Sequence, residues 1–405
     1  MIKLVVQVYN DIIKIKFEGG HGMSINIAIQ GNGVDLAHGL PTRYVDVMKT
    51  INTFYDAIYN SRVTNLSGFL REFRGSTIEN YVRKYLSQRL GKSNTTSELV
   101  IQKLEPLFTA KRYNFWLIYF GAMVEQEREA NSRGQSIASW LDCETETEEV
   151  LKTIDEALKH GKIGFGRKLT CEWKKEKKKL VQILNFLNQT GGRIENKGQL
   201  IQKLERDYRQ FQNCVDLYIE YFINAAVRDG WIHSKIPEFT QIKFDKVITF
   251  NYSKTYKELY QANNSNVDIV YIHGKAGGSR IDAPNIVLGI GTYFEEECKC
   301  AKYMAFEKRW QRLMYETDRR YKDWIEKSEF YLYMYGYSCG IFDGDILRKL
   351  FLHKHNKGTT IYFLNYEAQE ACIKNLIEIL GPNVLGRKME NSEIRFVQTQ
   401  EVLTV

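Results

Sequence analysis

Proline is scarce in this chain, five among 405 residues, which argues against long disordered linkers. No apolar run approaches the roughly 20 residues that a membrane span needs. The N-terminus also lacks the sustained apolar stretch and small-residue cleavage site of a secretory signal, so a cytoplasmic location is expected. No two cysteines form a C-x-x-C pair. The seven present (Cys143, Cys171, Cys214, Cys298, Cys300, Cys339 and Cys372) are odd in number and scattered, so neither a disulfide framework nor a zinc module is expected, and no metal. No basic motif interleaved with aromatics accompanies the formal charge of +8. The lysine-rich stretch Lys174, Lys175, Glu176, Lys177, Lys178 and Lys179 opens a helical pattern and reads as a solvated face, and no nucleic-acid partner is expected. What is present is ordinary for a soluble globular protein: 43% hydrophobic and 26% charged residues, with length enough for more than one domain.

Three blocks follow one another. Ser24 to Gly31 reads SINIAIQG, a short run ending in glycine as a buried strand does, and a helical pattern runs from about Tyr44 to Tyr59. The segment 66–228 is dominated by helical periodicity. Leu180, Ile183, Leu184 and Leu187 share one face, Leu200, Leu204, Tyr208 and Phe211 another, and Gly191-Gly192 separates the two helices. From Phe244 onward strands and helices alternate. Strands are expected at 247–250, 267–272, 286–288, 329–336, 359–365 and 394–397, with helices at 254–261, 301–327, 344–353 and 367–380. Alternation of this kind implies a mostly parallel sheet covered on both faces. The expected architecture is therefore an α/β, Rossmann-like core from residues 23–62 and 240–405, interrupted by a large helical insertion at 63–239.

Gly31-Asn32-Gly33-Val34-Asp35 follows the first strand directly. Glycines there allow a sharp turn and close approach to a phosphate, but the full G-x-G-x-x-G is absent, since Leu36 holds the last glycine's place. A plain turn satisfies the same residues. His38 reads equally as a nucleotide contact or a turn cap. Asp343 and Asp345 read first as caps of the helix that begins beside them, with a ligand-facing role as the alternative for Asp343.

The longer stretch from Gly31 to Thr42, GNGVDLAHGLPT, resembles the opening signature of the phage abortive-infection AbiH family, and more remotely the opening loop of sirtuins. Four more segments match the sirtuin order: Thr249-Phe250-Asn251-Tyr252, His273-Gly274, Gly336-Tyr337-Ser338 and Leu364-Asn365-Tyr366-Glu367. Each stands at an expected strand end, where ligands gather in open α/β sheets. Trp140-Leu141-Asp142-Cys143-Glu144 resembles the tryptophan-x-aspartate-x-glutamate patch of AbiH proteins; without that resemblance it reads as a surface helix start. Departures exist. Ser253 stands where sirtuin-like NAD hydrolases commonly carry aspartate, Tyr337 where AbiH proteins suggest histidine, and the sirtuin zinc module is missing, which argues against protein deacylation.

The resemblance implies a sirtuin-like nucleotide core that cleaves NAD+ between nicotinamide and ribose. NAD+ is then substrate, Asn251 and His273 act in catalysis, and Gly31, Asn32, Gly33, Asp35, His38, Thr249, Gly336, Ser338 and Asn365 shape the nucleotide site. Nicotinamide leaves neutral, so no strong acid is needed. Required are support for an oxocarbenium-like ribose and a base, which histidine supplies near neutrality. The alternative is a non-catalytic nucleotide-binding sensor or toxin whose occupancy gates the helical block. A phage-derived trigger is implied, homo-oligomerisation is left open, and a membrane partner is not expected. Residues 1–22 read in two ways. Glu18-Gly19-Gly20 can be encoded as a ribosome-binding sequence just before Met23, making Met23 the start, whereas 3–9 and 12–17 around Asn10-Asp11 read as a hairpin that would need docking.

Overall fold

The computed structural model describes residues 24–55, 112–132, 142–172, 178–230, 232, 235–261, 267–278, 285–291 and 301–399. Residues 1–23, Trp140, Lys174 to Lys177, Cys298 and Cys300 lie outside them. The chain opens with β1 (Ile25–Gln30), α1 (Gly33–Ala37) and α2 (Tyr44–Tyr55). A helical block follows: α3 (Phe115–Ser132), α4 (Cys143–Lys159), a small antiparallel pair β2 (Ile163–Gly164) and β3 (Thr170–Cys171), α5 (Lys178–Gln189), and α6 (Lys197–Tyr218). α6 continues through a π-helical turn, Ile219–Asn224, into α7 (Ala225–Arg228). Gly191 and Gly192, between α5 and α6, both take positive φ (71° and 88°), which is why the chain can turn there without strain.

The remainder alternates. α8 (Pro237–Gln241), β4 (Lys246–Thr249), α9 (Thr255–Tyr260) and β5 (Asp268–Tyr271) precede α10 (Lys308–Met314) and α11 (Tyr321–Lys327). β6 (Phe330–Tyr335), α12 (Gly344–Phe351), β7 (Asn356–Phe363), α13 (Tyr366–Leu380), α14 (Pro382–Glu390) and β8 (Ile394–Gln398) complete it. The large sheet runs β5-β4-β1-β6-β7-β8 and every pairing is parallel. Numbered along the chain within the sheet, this is the 3-2-1-4-5-6 order of doubly wound dinucleotide-binding folds, with its switch point between β1 and β6.

Alternation along the strands explains why both faces are covered. Ile27 and Ile29 of β1, Ile248 of β4, and Leu332 and Met334 of β6 pack with α11 to α14 through Ile325, Leu347, Leu350, Leu376 and Leu385. Ala28, Val247 and Tyr335 point the other way, onto Phe239 of α8 and Tyr256 and Tyr260 of α9. The helical block has its own core around Trp116, Phe120, Tyr208 and Phe211, and Ile286, Leu288, Tyr303 and Phe306 from the α/β part pack into it.

Two expected elements differ. Residues 286–288 form no strand; Ile286 makes only an isolated bridge to Gly274. The segment is held extended by side chains instead. Gln212 Nε2 of α6 donates to the carbonyls of Ile286 (3.3 Å) and Leu288 (3.2 Å), and Gln311 Oε1 accepts from the Leu288 N–H (2.9 Å). The single helix read at 301–327 is three pieces, a 3-10 turn at Ala301–Phe306 followed by α10 and α11. The break after α10 is a Schellman-type cap. Glu316 takes φ 51°, its N–H bonds the Leu313 carbonyl, and the Thr317 N–H reaches back to Arg312. Glycine usually holds that position, so glutamate there hides the stop.

Candidate active site

The strand ends converge at the switch point. Gly31 and Gly33 lie directly against the Gly336 backbone: a Cβ on Gly33 would stand 2.5 Å from the Gly336 Cα, and the Gly33 N–H donates to the Gly336 carbonyl (2.7 Å). Gly336 itself has φ 60°. Glycine is therefore demanded at these positions by the contact between the two loops. Asn32 exchanges hydrogen bonds with Thr42, accepting from its hydroxyl at 2.5 Å and donating to its carbonyl at 3.3 Å.

Asn251, just past β4, donates both amide hydrogens inward, to the Gly31 carbonyl (2.9 Å) and Asp35 Oδ2 (3.3 Å). Both partners are acceptors, which fixes the amide's orientation. Thr249 Oγ1 accepts the Asn251 N–H. Ser253 donates its hydroxyl to Asp35. Burial raises the Asp35 carboxyl to about 6, against the opposing hydrogen bonds from Thr255 and Ser253.

His273 follows β5, and its neighbours define a buried charged centre. Its Nε2 lies 2.8 Å from Asp343 Oδ1. Asp343 Oδ2 also accepts from Lys308 Nζ (3.2 Å) and the Tyr337 hydroxyl (3.2 Å), and Arg312 stands 3.7 Å from Oδ1. Lys308 turns its other side to Glu144 Oε2 at 2.8 Å, and Arg312 holds Asp345 at 2.6 Å. His273, Asp343 and Lys308 are each at most 4% exposed. Phe250 stacks on Tyr337 with centroids 4.3 Å apart and meets the His273 ring edge to face at 5.4 Å. The His273 carbonyl accepts from Val287, whose own carbonyl takes the Tyr252 hydroxyl at 2.8 Å.

The electrostatics follow from this packing. Burial alone would raise Asp343, but His273, Lys308 and Arg312 around it hold its carboxyl well below the usual range. Burial lowers His273, with Lys308 and Arg312 adding to the effect against Asp343. An ionised carboxylate only accepts, so a neutral imidazole beside it carries its hydrogen on Nε2 and its lone pair on Nδ1. Glu144, with burial as the main cause, is raised to about 7.

The remaining expected site residues sit as follows. His38 caps α1 and contacts the Tyr260 hydroxyl through Nε2 (3.1 Å). Ser338 offers its carbonyl to Asn375, and the Asn365 side chain caps α13 by accepting from Ala368. Four residues of the centre escaped the list read from sequence: Glu144, Lys308, Arg312 and Asp343. Asp343 does precede α12, but its side chain makes no cap bond and faces His273 instead. Lys308 and Arg312, four apart in α10, share the face turned toward Asp343, a spacing that offered a signal.

A doubly wound parallel sheet with its polar residues gathered at the strand C-termini places this chain in the class of Rossmann-like α/β proteins. Within it, the chain belongs to the bacteriophage abortive infection AbiH family, whose model matches residues 27–365. No curated protein and no solved structure matches it. Among the described residues, no helix is long and apolar enough to cross a membrane.

Proposed function

We propose that this AbiH protein is a phage-defence effector that cleaves NAD+ at the nicotinamide–ribose bond. The observation that carries the reading is the His273–Asp343 pair at the C-terminal edge of the sheet, in a centre that adjoins the Asn251–Gly31 loop through Phe250. The sirtuin-like order of the strand-end motifs supports NAD+ as the substrate. Nicotinamide departs neutral with the electrons of its C–N bond, leaving an oxocarbenium-like ribose. Water adds to that carbon and gives up a proton to His273 Nδ1, while Asp343 keeps the hydrogen on Nε2 and stabilises the imidazolium that forms. The products are ADP-ribose, nicotinamide and a proton. Asn251 contributes its amide oxygen, aimed by the two hydrogen bonds on its nitrogen.

A second reading, a nucleotide sensor without catalysis, draws on the near-complete burial of His273 and on the direct contact between the Gly33 and Gly336 loops. Phage challenge separates the two. A His273→Ala strain expressing normal amounts of protein should lose both NAD+ depletion and protection under the catalytic reading. Full protection in that strain favours the sensor.

A further inference from the structure

Two thiols meet where the loop between β6 and α12 packs on α13. Cys372 Sγ donates to Cys339 Sγ at 3.3 Å, and the two residues are 3% and 0% exposed. They stand 33 residues apart in the chain and share the apolar layer on one face of the large sheet with Ile346, Leu376 and Ile379. Cys339 takes φ 54°, a conformation that glycine adopts freely and other residues seldom do. A side chain thus stands where the backbone alone favours glycine, and its sulfur is what meets α13.

The same loop reaches the His273 centre on both sides of Cys339. Tyr337, two residues before it, stacks on Phe250 at 4.3 Å and donates its hydroxyl to Asp343 Oδ2 at 3.2 Å. Asp343, four residues after it, meets His273 Nε2 at 2.8 Å. α13 holds the loop through side chains one turn apart, Cys372 on Cys339 and Asn375, whose Nδ2 donates to the Ser338 carbonyl at 2.8 Å. A thiol is a weak donor, so the sulfur contact is a loose attachment as it stands. A covalent bond at the same point would make it a fixed one.

We propose that Cys339 and Cys372 form a disulfide when the protein meets hydrogen peroxide, and that this bond fastens to α13 the loop that carries Tyr337 and Asp343. The thiols need to approach by only about 1 Å to reach bonding distance. Cys372, the less covered sulfur, attacks one peroxide oxygen; the S–O bond forms, the O–O bond breaks, and the leaving hydroxide takes the thiol proton as water. The Cys339 sulfur then attacks the Cys372 sulfur; the S–S bond forms, the S–O bond breaks, and hydroxide leaves with the Cys339 proton as a second water. Two thiols give up two electrons, and one peroxide becomes two waters. The hydrogen bond with Cys372, together with burial, pushes the Cys339 thiol well above its ordinary value. Cys339 therefore keeps its proton until that second step, and oxidation is slow. Neither the bond nor its effect on the loop depends on NAD+ cleavage.

Full-length protein would be held with hydrogen peroxide at mildly alkaline pH, with folding followed by circular dichroism, then denatured, alkylated with N-ethylmaleimide and digested. Mass spectrometry should find the peptides containing residues 339 and 372 joined, and dithiothreitol should separate them. Amide hydrogen exchange over residues 337–343 should slow in the joined form, and closing a loop of this length should raise the unfolding temperature by roughly 4 °C. Cys339→Ser leaves the sulfenic acid unresolved, so dimedone should label Cys372 in that variant. If both cysteines of the folded, peroxide-treated protein still take up N-ethylmaleimide once denatured, or if the bond joins other cysteines, the proposal is overturned. A bond between 339 and 372 that leaves exchange over 337–343 unchanged also overturns it, because the loop is then not fastened.

Discussion

Replacing Asp35 with asparagine should flatten a loss of stability that the unaltered chain undergoes as pH rises from about 4 to about 6. Asp35 is 2% exposed, and its carboxylate is met by Ser253 at 2.7 and 2.9 Å and by Asn251 at 3.3 Å. Burial nevertheless dominates and raises the group to about 6. In the unfolded chain the same group titrates near the ordinary value of about 3.9. Below that value both states hold the proton and the residue is neutral in the balance. Between the two values the unfolded chain has released its proton while the folded chain keeps it, so stability falls. Above about 6 the full penalty is present, about 3 kcal/mol for a gap of about two units. Measured between pH 4.5 and 7.5, the part that develops is about 2 kcal/mol by the same relation. Urea denaturation at both pH values would read it as the difference between the unaltered protein and Asp35→Asn, which keeps an acceptor for Ser253. Parallel pH dependences in the two proteins would refute the reasoning, because other titrating groups are common to both.

Three further outcomes follow from the geometry. Gly33→Ala places a Cβ against the Gly336 backbone at 2.5 Å, so the two loops must separate, and a fall in stability of roughly 1–3 kcal/mol is expected by thermal or urea unfolding; an unchanged midpoint would mean that the loops are not in contact. Gln212→Leu strands the buried carbonyls of Ile286 and Leu288 and should cost about 2–4 kcal/mol in the same assay. Gel-shift assays on duplex or single-stranded DNA at physiological salt should show no binding, since Lys179 is already held by Glu146 (2.9 Å) and Glu149 (2.7 Å), and a tight shift that weakens steeply with salt would contradict this.

The parallel sheet was legible because its strands are short apolar runs ending in turn residues, and β1, β4, β5 and β6 fall within about two residues of the segments read from sequence. Gly31, Asn251, His273 and Gly336 were picked out by the sirtuin-like order of their motifs, each at an expected strand end. The charged half of the centre was not. Lysine and arginine on a helix read as solvated, and only the fold turns Lys308 and Arg312 inward against Asp343. An aspartate before a helix serves equally as a cap or a ligand, and the choice at Asp343 is made by His273, 70 residues away. Residues 286–288 carry a strand's composition, but their extended form depends on Gln212 and Gln311, which no local pattern announces.

The central claim is that His273, held by Asp343, acts as the base in NAD+ cleavage. Its most direct test is incubation of the purified full-length protein with NAD+, with free nicotinamide measured over time beside His273→Ala and Asp343→Asn. The unaltered protein should release nicotinamide, His273→Ala should release none, and Asp343→Asn, where the imidazole loses its fixed tautomer, should release far less. Equal release by the unaltered protein and His273→Ala would contradict it.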